Sequence, residues 1–98
     1  MRAAKIDANQ KEIVEALRKI GCTVQSLASV GKGVPDLLVA NTRNELFLME
    51  IKDGRKPPSE RKLTPDQVKW HENWNSEIHI VLNVEQAIDI VRRKVGIE

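Results

Sequence analysis

The chain has 98 residues, a formal net charge of +2 and 41% hydrophobic residues, values that are ordinary for one small globular domain. We therefore treat residues 1–98 as a single domain. The mild positive charge permits a nucleic-acid partner without requiring one. An aromatic content of 3% argues against an aromatic stacking platform for single strands.

The cysteine content and hydropathy indicate a compartment. Cys22 is the one cysteine, which excludes an internal disulfide and is typical of a reducing environment. No apolar run is long enough to span a membrane, and no signal-peptide pattern begins the chain. We therefore expect a cytoplasmic protein with no membrane partner.

The first predicted element is an amphipathic helix over residues 7–20. Asp7 is placed to cap it, and Gln10 completes the capping-box spacing. Gln10 also shares the apolar stripe, so it faces the sheet and can reach a site there; both interpretations stay open. Glu12 lies on the flank and is more simply a solvated first-turn acid. The apolar stripe comprises Ile13, Ala16, Leu17 and Ile20.

A short strand follows, from Cys22 to Leu27, and then a polar connection from Ser29 to Gly33. The glycines of this connection fit a tight turn and nothing more, because the full spacing of a phosphate-binding loop is missing. Lys32 either contacts a phosphate or is plain surface.

A β-hairpin is predicted from Gly33 to Lys52, because two apolar runs of strand length flank a polar turn. With the hairpin centred on Arg43, Asp36 lies opposite Glu50 and shares its face. Lys52, two residues after Glu50, points to the same side. The second strand is apolar on both faces, so we expect it in the middle of a covered sheet. Charged side chains are seldom buried there unless they are paired or bind metal.

A charged loop is predicted over residues 53–63, because Pro57 and Pro58 lack backbone donors. It is the densest basic segment of the chain. A solvated loop is the simpler interpretation, but a loop that leaves directly from an acidic cluster suits phosphate guidance better. The candidate phosphate contacts are Lys32, Arg55, Lys56, Arg61 and Lys62.

A second helix begins clearly, with Thr64 as N-cap, Pro65 at the first position and Gln67 at the capping-box position. Trp70 and Trp74 are four residues apart. We expect them to pack in the core or at a dimer interface rather than to stack on bases.

His71 begins a His-Glu-Asn triplet that only superficially suggests a His-Asn nuclease, because its setting is helical. The last predicted strand covers residues 78–82. Asn83 then caps a final helix, again with a glutamine, Gln86, at the capping-box position. The order of elements is α-β-β-β-α-β-α. It predicts an α/β fold, more narrowly an α+β fold in which helices flank a mixed sheet.

The three charges of the hairpin suit hydrolytic chemistry. Asp36 and Glu50 offer hard oxygen ligands for Mg²⁺ or Mn²⁺, and the backbone carbonyl of Ile51 can add another. Such a cation polarises a phosphate and lowers the pKa of a water. Lys52 can orient or activate that water, or stabilise charge on the phosphate. The alternative is a partly buried salt-bridge triad, which leaves one carboxylate unpaired in an apolar sheet.

Pro35-Asp36, a spacer and then Glu50-Ile51-Lys52 resemble the signature of the PD-(D/E)XK nuclease superfamily, which has a restriction-endonuclease-like core. With Gly33 two residues before Pro35 and with the Thr64–Gln67 helix start, the chain is similar to the small virus-type replication-repair nuclease (VRR-NUC) domains, many of them phage-encoded. The fuller pattern comprises residues 33–38, 49–54 and 62–67.

The resemblance implies a metal-dependent DNA endonuclease, with Asp36 and Glu50 as metal ligands and Lys52 as the catalytic lysine. It also implies a homodimer similar to archaeal Holliday-junction resolvases, acting on branched DNA in replication, recombination or repair. A phage-encoded member would work in the bacterial host cytoplasm. Gln67 matches a glutamine near the active site of such nucleases, which competes with its capping role. The family often carries a first-helix glutamate; the inward position here is Gln10.

Two hypotheses stand beside the nuclease. One is a non-catalytic DNA-binding or assembly subunit that keeps the fold, against which the intact Asp36, Glu50 and Lys52 argue. The other is a structural domain with a satisfied ion-pair triad. Metal-dependent cutting of DNA separates them.

Overall fold

The computed structural model of the chain describes residues 6–93. Its helices and strands follow the predicted order α-β-β-β-α-β-α, with a short 3₁₀ turn at Pro58–Glu60. Within residues 6–93 no helix has the length or hydrophobicity needed to cross a membrane. The elements are α1 (Gln10–Lys19), β1 (Thr23–Ser26), β2 (Leu37–Ala40), β3 (Leu46–Ile51), α2 (Pro65–Glu72), β4 (Ile78–Val81) and α3 (Val84–Arg92).

The four strands form one mixed sheet in the order β1-β2-β3-β4. β1, β2 and β3 pair antiparallel, whereas β4 runs parallel to β3. A parallel neighbour needs a long crossover connection, and α2 lies within the crossover here. The predicted mixed α+β fold is therefore confirmed.

One face of the sheet carries the hydrophobic core. Alternate residues along the strands point to this face, where α1 and α3 pack on each other and on the sheet. Each fully buried aliphatic side chain contributes about 1.5–3 kcal/mol to folding. The strand residues of the core are Leu37, Val39, Met49, Ile51 and Val81.

The opposite face is open along the first half of β3 and at the edge strand β4. Leu46, at the start of β3, is 71% exposed, and Ile80 of β4, which lies beside Glu50, is 47% exposed. Glu50, at the other end of β3 on the same face, is buried. The prediction of a strand covered on both faces is therefore wrong for the first half of β3 and holds for its end.

The start of α1 differs from the prediction. α1 begins at Gln10, and Asp7 lies outside it; its backbone carbonyl accepts from the Gln10 N–H at 3.0 Å. The N-cap residue is Asn9, whose Nδ2 donates to the carbonyl oxygens of Lys52 (3.2 Å) and Leu82 (3.0 Å). The capping box predicted for Asp7 and Gln10 does not form, because Asn9 instead fastens the helix start to the ends of β3 and β4.

The start of α2 is the predicted one. Thr64 Oγ1 accepts from the Gln67 N–H at 3.2 Å, and Gln67 Oε1 accepts from the Thr64 N–H at 2.9 Å. This reciprocal pair satisfies backbone donors that a helix start leaves unpaired. The capping box at Thr64 and Gln67 is confirmed.

Gly33 holds the connection before β2 against the start of α2. Its φ is +86°, and a Cβ there would lie 2.2 Å from the Asp66 carbonyl oxygen and 2.9 Å from the Gln67 nitrogen. Only glycine permits both this backbone conformation and this approach. The prediction that the glycines serve a turn and nothing more is wrong, because Gly33 fixes the position of α2.

The two tryptophans are outside the core. Their rings stack with centroids 4.6 Å apart and planes 19° apart, and Trp74 is 46% exposed. α2 ends at Glu72, so Trp74 lies beyond the helix, and none of the residues of α2 is buried. Core packing of Trp70 and Trp74 was therefore a wrong prediction.

Only one of the two hydrogen bonds predicted for the capping box of the final helix forms. Asn83 Oδ1 accepts from the Gln86 N–H at 2.8 Å. Gln86 Oε1, however, accepts from the N–H of Leu82 at 2.8 Å rather than from that of Asn83. The Gln86 side chain therefore bonds the backbone one residue before the N-cap, at the end of the last strand.

Candidate active site

The hairpin register brings the two predicted carboxylates together. Leu37 lies opposite Met49, so the next pair along the ladder is Asp36 and Glu50. The two carboxyl groups are near enough for each to influence the pKa of the other. Asp36 Oδ2 also accepts from the backbone N–H of Ile51 at 2.7 Å, which fixes its carboxylate at the end of β3.

Glu50 belongs to the sheet, but its side chain is hydrogen-bonded by a residue of α2. It is 1% exposed, and its Oε2 accepts from Gln67 Nε2 at 2.9 Å. Its Oε1 is buried without a hydrogen-bond partner. A buried carboxylate oxygen without a donor is costly unless a proton or a cation compensates it.

Lys52 is buried beside the carboxylates but pairs with an amide. Its Nζ donates to Gln67 Oε1 at 2.9 Å, and Lys52 is 8% exposed. Within the described residues, no Lys52–Asp36 or Lys52–Glu50 ion pair is closer than 4.0 Å. The satisfied ion-pair triad is therefore not the arrangement that this chain adopts.

Gln67 is at the centre of this arrangement. Its Oε1 accepts from the Thr64 N–H and from Lys52 Nζ, which a carbonyl oxygen with two lone pairs can do. Its Nε2 donates to Glu50. The capping role and the site role do not compete, because the two ends of one amide serve both. The helix cap thereby fixes the distance between lysine and glutamate.

The electrostatics of the carboxylate pair favour a positive charge. Burial raises the pKa of Glu50 to about 9, with the neighbouring Asp36 adding to the shift. The pKa of Asp36 is raised as well, mainly by burial. Two carboxyl groups in these surroundings cannot both ionise at neutral pH without compensation. A divalent cation would supply it.

The donor set fits Mg²⁺ or Mn²⁺. Asp36 and Glu50 provide carboxylate oxygens, and the Ile51 carbonyl points to the same side as its N–H, towards Asp36. Residue 35, opposite Ile51, is a proline and has no N–H, so the usual ladder bond to that carbonyl cannot form. Within residues 6–93 no three His, Cys, Asp or Glu side chains converge at metal-ligand distances. A third protein donor would therefore be this carbonyl.

The first helix contributes differently from the prediction. Gln10 is 5% exposed and its Oε1 has no hydrogen-bond partner, but no hydrogen bond joins it to Asp36, Glu50 or Lys52 in the described part of the chain. Glu12 is exposed. Asp7 is the acid near the site, because its charge raises the pKa of both Asp36 and Glu50. The prediction that Asp7 caps α1 gave no indication that Asp7 lies near the site.

His71 is a second neighbour that the sequence analysis dismissed. Its Nε2 lies 3.6 Å from Glu50 Oε1, and neither atom has a hydrogen-bond partner. Burial, and then the charge of Lys52, lower the pKa of His71, so this contact is not a salt bridge at pH 7. The sequence did contain a signal for this contact, because His71 follows Gln67 by four residues and therefore lies on the same face of the helix.

The candidate phosphate contacts fall into three groups, which differ in their exposure and in the acid that pairs with them. Arg55 donates to both carboxylate oxygens of Asp53 at 3.0 and 3.1 Å. Lys56 Nζ lies 3.9 Å from Asp7 Oδ1. Lys32 and Lys62 are exposed, whereas Arg61 is half-buried and its Nε has no partner. The described structure therefore leaves the basic loop partly neutralised, by Asp53 of the loop and by Asp7.

Two comparisons with known proteins bear on this site. The chain is 37% identical over 73 residues to "Putative nuclease p44" of Acyrthosiphon pisum secondary endosymbiont phage 1, with 72% of each chain covered. A solved structure described as "VRR_NUC domain" superposes with a TM-score of 0.62 at 26% identity, covering 88% of this chain and 92% of the other. Comparison with models of protein families finds no match.

A mixed sheet that presents Asp36, Glu50 and Lys52 at the end of a hairpin, in a chain similar to these two proteins, defines a nuclease domain. The chain belongs to the VRR-NUC family, as the resemblance in its sequence implied.

Proposed function

We propose that this nuclease is a Mg²⁺- or Mn²⁺-dependent endodeoxyribonuclease that hydrolyses phosphodiesters in branched DNA. The observation that carries the proposal is the Gln67 amide, which joins buried Glu50 to buried Lys52. A merely structural domain has no need to bury a lysine and a glutamate and then hold them apart. A nuclease needs both groups at fixed positions around one phosphate.

The cation would be held by Asp36, Glu50 and the carbonyl of Ile51. When bound, a divalent cation stabilises charge on the phosphate and makes a water more acidic. The protein's own contribution is rigidity, since the Ile51 N–H orients Asp36 and Gln67 orients Glu50. Such supporting hydrogen bonds commonly change metal affinity or activity by about 10–100-fold.

Lys52 is placed to act on the reacting atoms. An ammonium has three N–H donors, and Gln67 accepts one of them. The remaining two are available to a phosphate oxygen or to the attacking water. Either contact would place positive charge where negative charge develops in the transition state.

Phosphates of DNA would approach over the basic residues beside the site. Lys32 and Lys62 are exposed, and the Arg55 side chain is 67% exposed even though Asp53 binds it. Contacts of this kind add affinity without sequence readout and weaken as salt increases. We infer that binding to DNA is salt-dependent and not base-specific.

A homodimer is part of the proposal. The uncovered part of this side of the sheet, the open sheet face, is apolar although it is in contact with solvent. Self-association would bury this surface, and a two-fold pair would present two sites to one branched DNA. The residues of the open sheet face are Leu38, Leu46, Leu48, Ile78 and Ile80.

The biological role follows from the substrate class. Branched DNA arises in replication, recombination and repair, so we place the enzyme in one of these processes. The similar phage protein suggests that the chain also acts in the cytoplasm of a bacterial host.

A cleavage assay tests the proposal. Purified protein is incubated with a four-way junction, a flap and a linear duplex, each with Mg²⁺, Mn²⁺ or EDTA. Lys52→Ala is compared with Lys11→Ala, which removes an exposed lysine of α1. We expect metal-dependent cutting of branched DNA that Lys52→Ala abolishes and Lys11→Ala retains.

Binding to DNA without cutting under every metal would overturn the enzyme in favour of a non-catalytic DNA-binding or assembly subunit. Equal cutting by Lys52→Ala would remove the lysine from the mechanism.

A further inference from the structure

A cleft lies beside the candidate active site and has no role in the mechanism above. It has a volume of about 540 Å³, within the range of about 300–1,000 Å³ that is usual for small-molecule sites. Its residues are Lys32, Asp66, Lys69, Trp70, Asn73 and Trp74. We refer to it as the tryptophan cleft.

The aromatic wall of the cleft is accessible. Trp70 and Trp74 stack on each other at 4.6 Å, and Trp74 remains 46% exposed. The Trp74 Nε1 donates to Ser76 Oγ at 2.7 Å, which fixes the orientation of the ring. A preset aromatic face that is in contact with water is suited to stack against a planar ligand.

The rim of the cleft is polar and mainly basic. Lys32 and Lys69 are exposed, and neither has a salt bridge within the described residues. Asp66 is the one acid of the lining. Two free ammonium groups around an aromatic face suit a ligand that has both a ring and a phosphate.

The cleft adjoins the catalytic cluster along the chain and through space. Gly33 follows Lys32 and packs on the backbone of Asp66 and Gln67. Gln67 in turn contacts Glu50 and Lys52. A strand that leaves a phosphate at the active site can therefore reach the cleft within a short distance.

We propose that the tryptophan cleft binds an unpaired nucleotide of the DNA substrate, with its base stacked on Trp74 and its phosphate at Lys32 and Lys69. This inference rests on the proposed nuclease function and specifies its substrate. Branched DNA with a single-stranded segment beside the cut would then be preferred over fully paired DNA. The preference would tolerate any base, because every base offers a face for stacking.

A second copy of this chain is the rival occupant, since Trp74 also borders the open sheet face. The charges favour the nucleotide, because lysine is depleted at protein interfaces and is favoured at phosphates. Covering the cleft with protein would bury both ammonium groups of the rim. The open sheet face itself has no such charges among its five residues.

Intrinsic fluorescence gives a direct test, because Trp70 and Trp74 are the only two tryptophans of the chain. A blunt duplex and the same duplex with a single-stranded thymidine overhang are titrated into the Lys52→Ala protein in EDTA. We expect the overhang to quench the emission and to bind more tightly. Trp74→Leu should lose about 5- to 150-fold in overhang affinity, the range for one base stack, whereas Trp74→Phe should retain most of it.

Two further measurements keep the test decisive. Circular dichroism checks that Trp74→Leu is folded, and light scattering checks its oligomeric state. Equal affinity and equal quenching for blunt and overhanging duplexes would overturn the proposal. So would conversion of a dimer to a monomer by Trp74→Leu, which would assign the cleft to a protein interface. The titration needs no turnover, so an inactive wild-type enzyme would refute the proposed function while leaving this result readable.

Discussion

Two ends of one strand face show opposite behaviour. Leu46, at the start of β3, is 71% exposed, whereas Glu50, four residues later on the same face, is 1% exposed. Hydrophobic burial alone predicts the reverse. The difference is that α2 begins above Glu50 and stops short of covering Leu46. The helix protects a polar cluster, and the apolar end of the face stays in contact with solvent.

The covered end has two supports, the backbone of Gly33 and the side chain of Gln67. The uncovered end has none within the described structure. Perturbing each support, and then the open end, therefore tests whether this asymmetry serves function.

Gly33→Ala should have the largest effect. A Cβ at this position would collide with the Asp66 backbone in a left-handed conformation, so α2 must move. We expect a loss of about 3 kcal/mol or more in the free energy of unfolding, measured by urea denaturation. Gly31→Ala is the matched control, since its φ is +68° but nothing lies within 4 Å of the added carbon.

The control should cost only the backbone strain, about 1–2 kcal/mol. Equal losses for the two variants would show that the packing of Gly33 on α2 has no energetic importance.

Gln67→Ala should come next. Loss of the amide frees Lys52 and Glu50, so we expect metal affinity or cleavage to fall by about 10–100-fold. Gln86→Ala is the control, because Gln86 has the same position in its helix and contacts only the backbone of Leu82 in this way. It should cost about 1 kcal/mol of stability and little activity. Calorimetric titration with Mn²⁺ and a thermal melt distinguish the two effects.

The pH dependence of stability should be measurable in EDTA. The folded-state pKa of Glu50 lies above its ordinary value of 4.5, at about 9, so folding takes up a proton in that window. The stability that protonated Glu50 contributes is complete below the unfolded pKa and is lost as pH rises through the folded pKa. We expect the free energy of unfolding to fall between these two pH values by up to about 1.4 kcal/mol per pH unit, and Tm to fall with it.

Glu50→Gln removes the titrating group and should flatten this fall. Mn²⁺ should raise the Tm of the wild-type chain most at the alkaline end, where the cation no longer competes with a proton. A Tm that is insensitive to pH in both proteins would contradict the strained carboxylate pair.

Leu46→Lys should have the smallest effect on the folded monomer. Leu46 is already 71% exposed, so the expected change in stability is within about 0.5 kcal/mol. If the open sheet face joins two copies, a charge at its most exposed residue should dissociate the dimer in light scattering. Thr42→Lys, on the nearby exposed turn, is the control and should leave the mass unchanged. A monomeric wild-type protein would remove the homodimer from the proposal.

Local physical rules explain which parts were predictable. The Thr64–Gln67 cap is a contact between neighbours in sequence, so residue types and spacing are sufficient to predict it. The hairpin register follows from the position of the turn, which is why Asp36 and Glu50 could be paired from the sequence. The element order followed from the same periodicities.

The remaining features depend on how elements pack. Asp7 was assigned to a cap because the sequence did not reveal that Asn9 would bind the ends of β3 and β4. His71 was set aside because its setting is helical, and its neighbour Glu50 is distant in sequence. Trp70 and Trp74 were expected in the core or at a dimer interface, because their spacing places them on one helix face but does not show what covers that face.

The sequence by itself determined the fold class, the carboxylate pair and the capped helix, because these follow from local periodicity, from the register of one hairpin and from the spacing of one helix cap. Only the tertiary structure decided which end of β3 that helix covers. Gly33 sets this by allowing two backbones to approach where any side chain would collide. From that one contact follow the placement of Gln67 between Glu50 and Lys52, the open apolar end, and the tryptophan cleft beside the site.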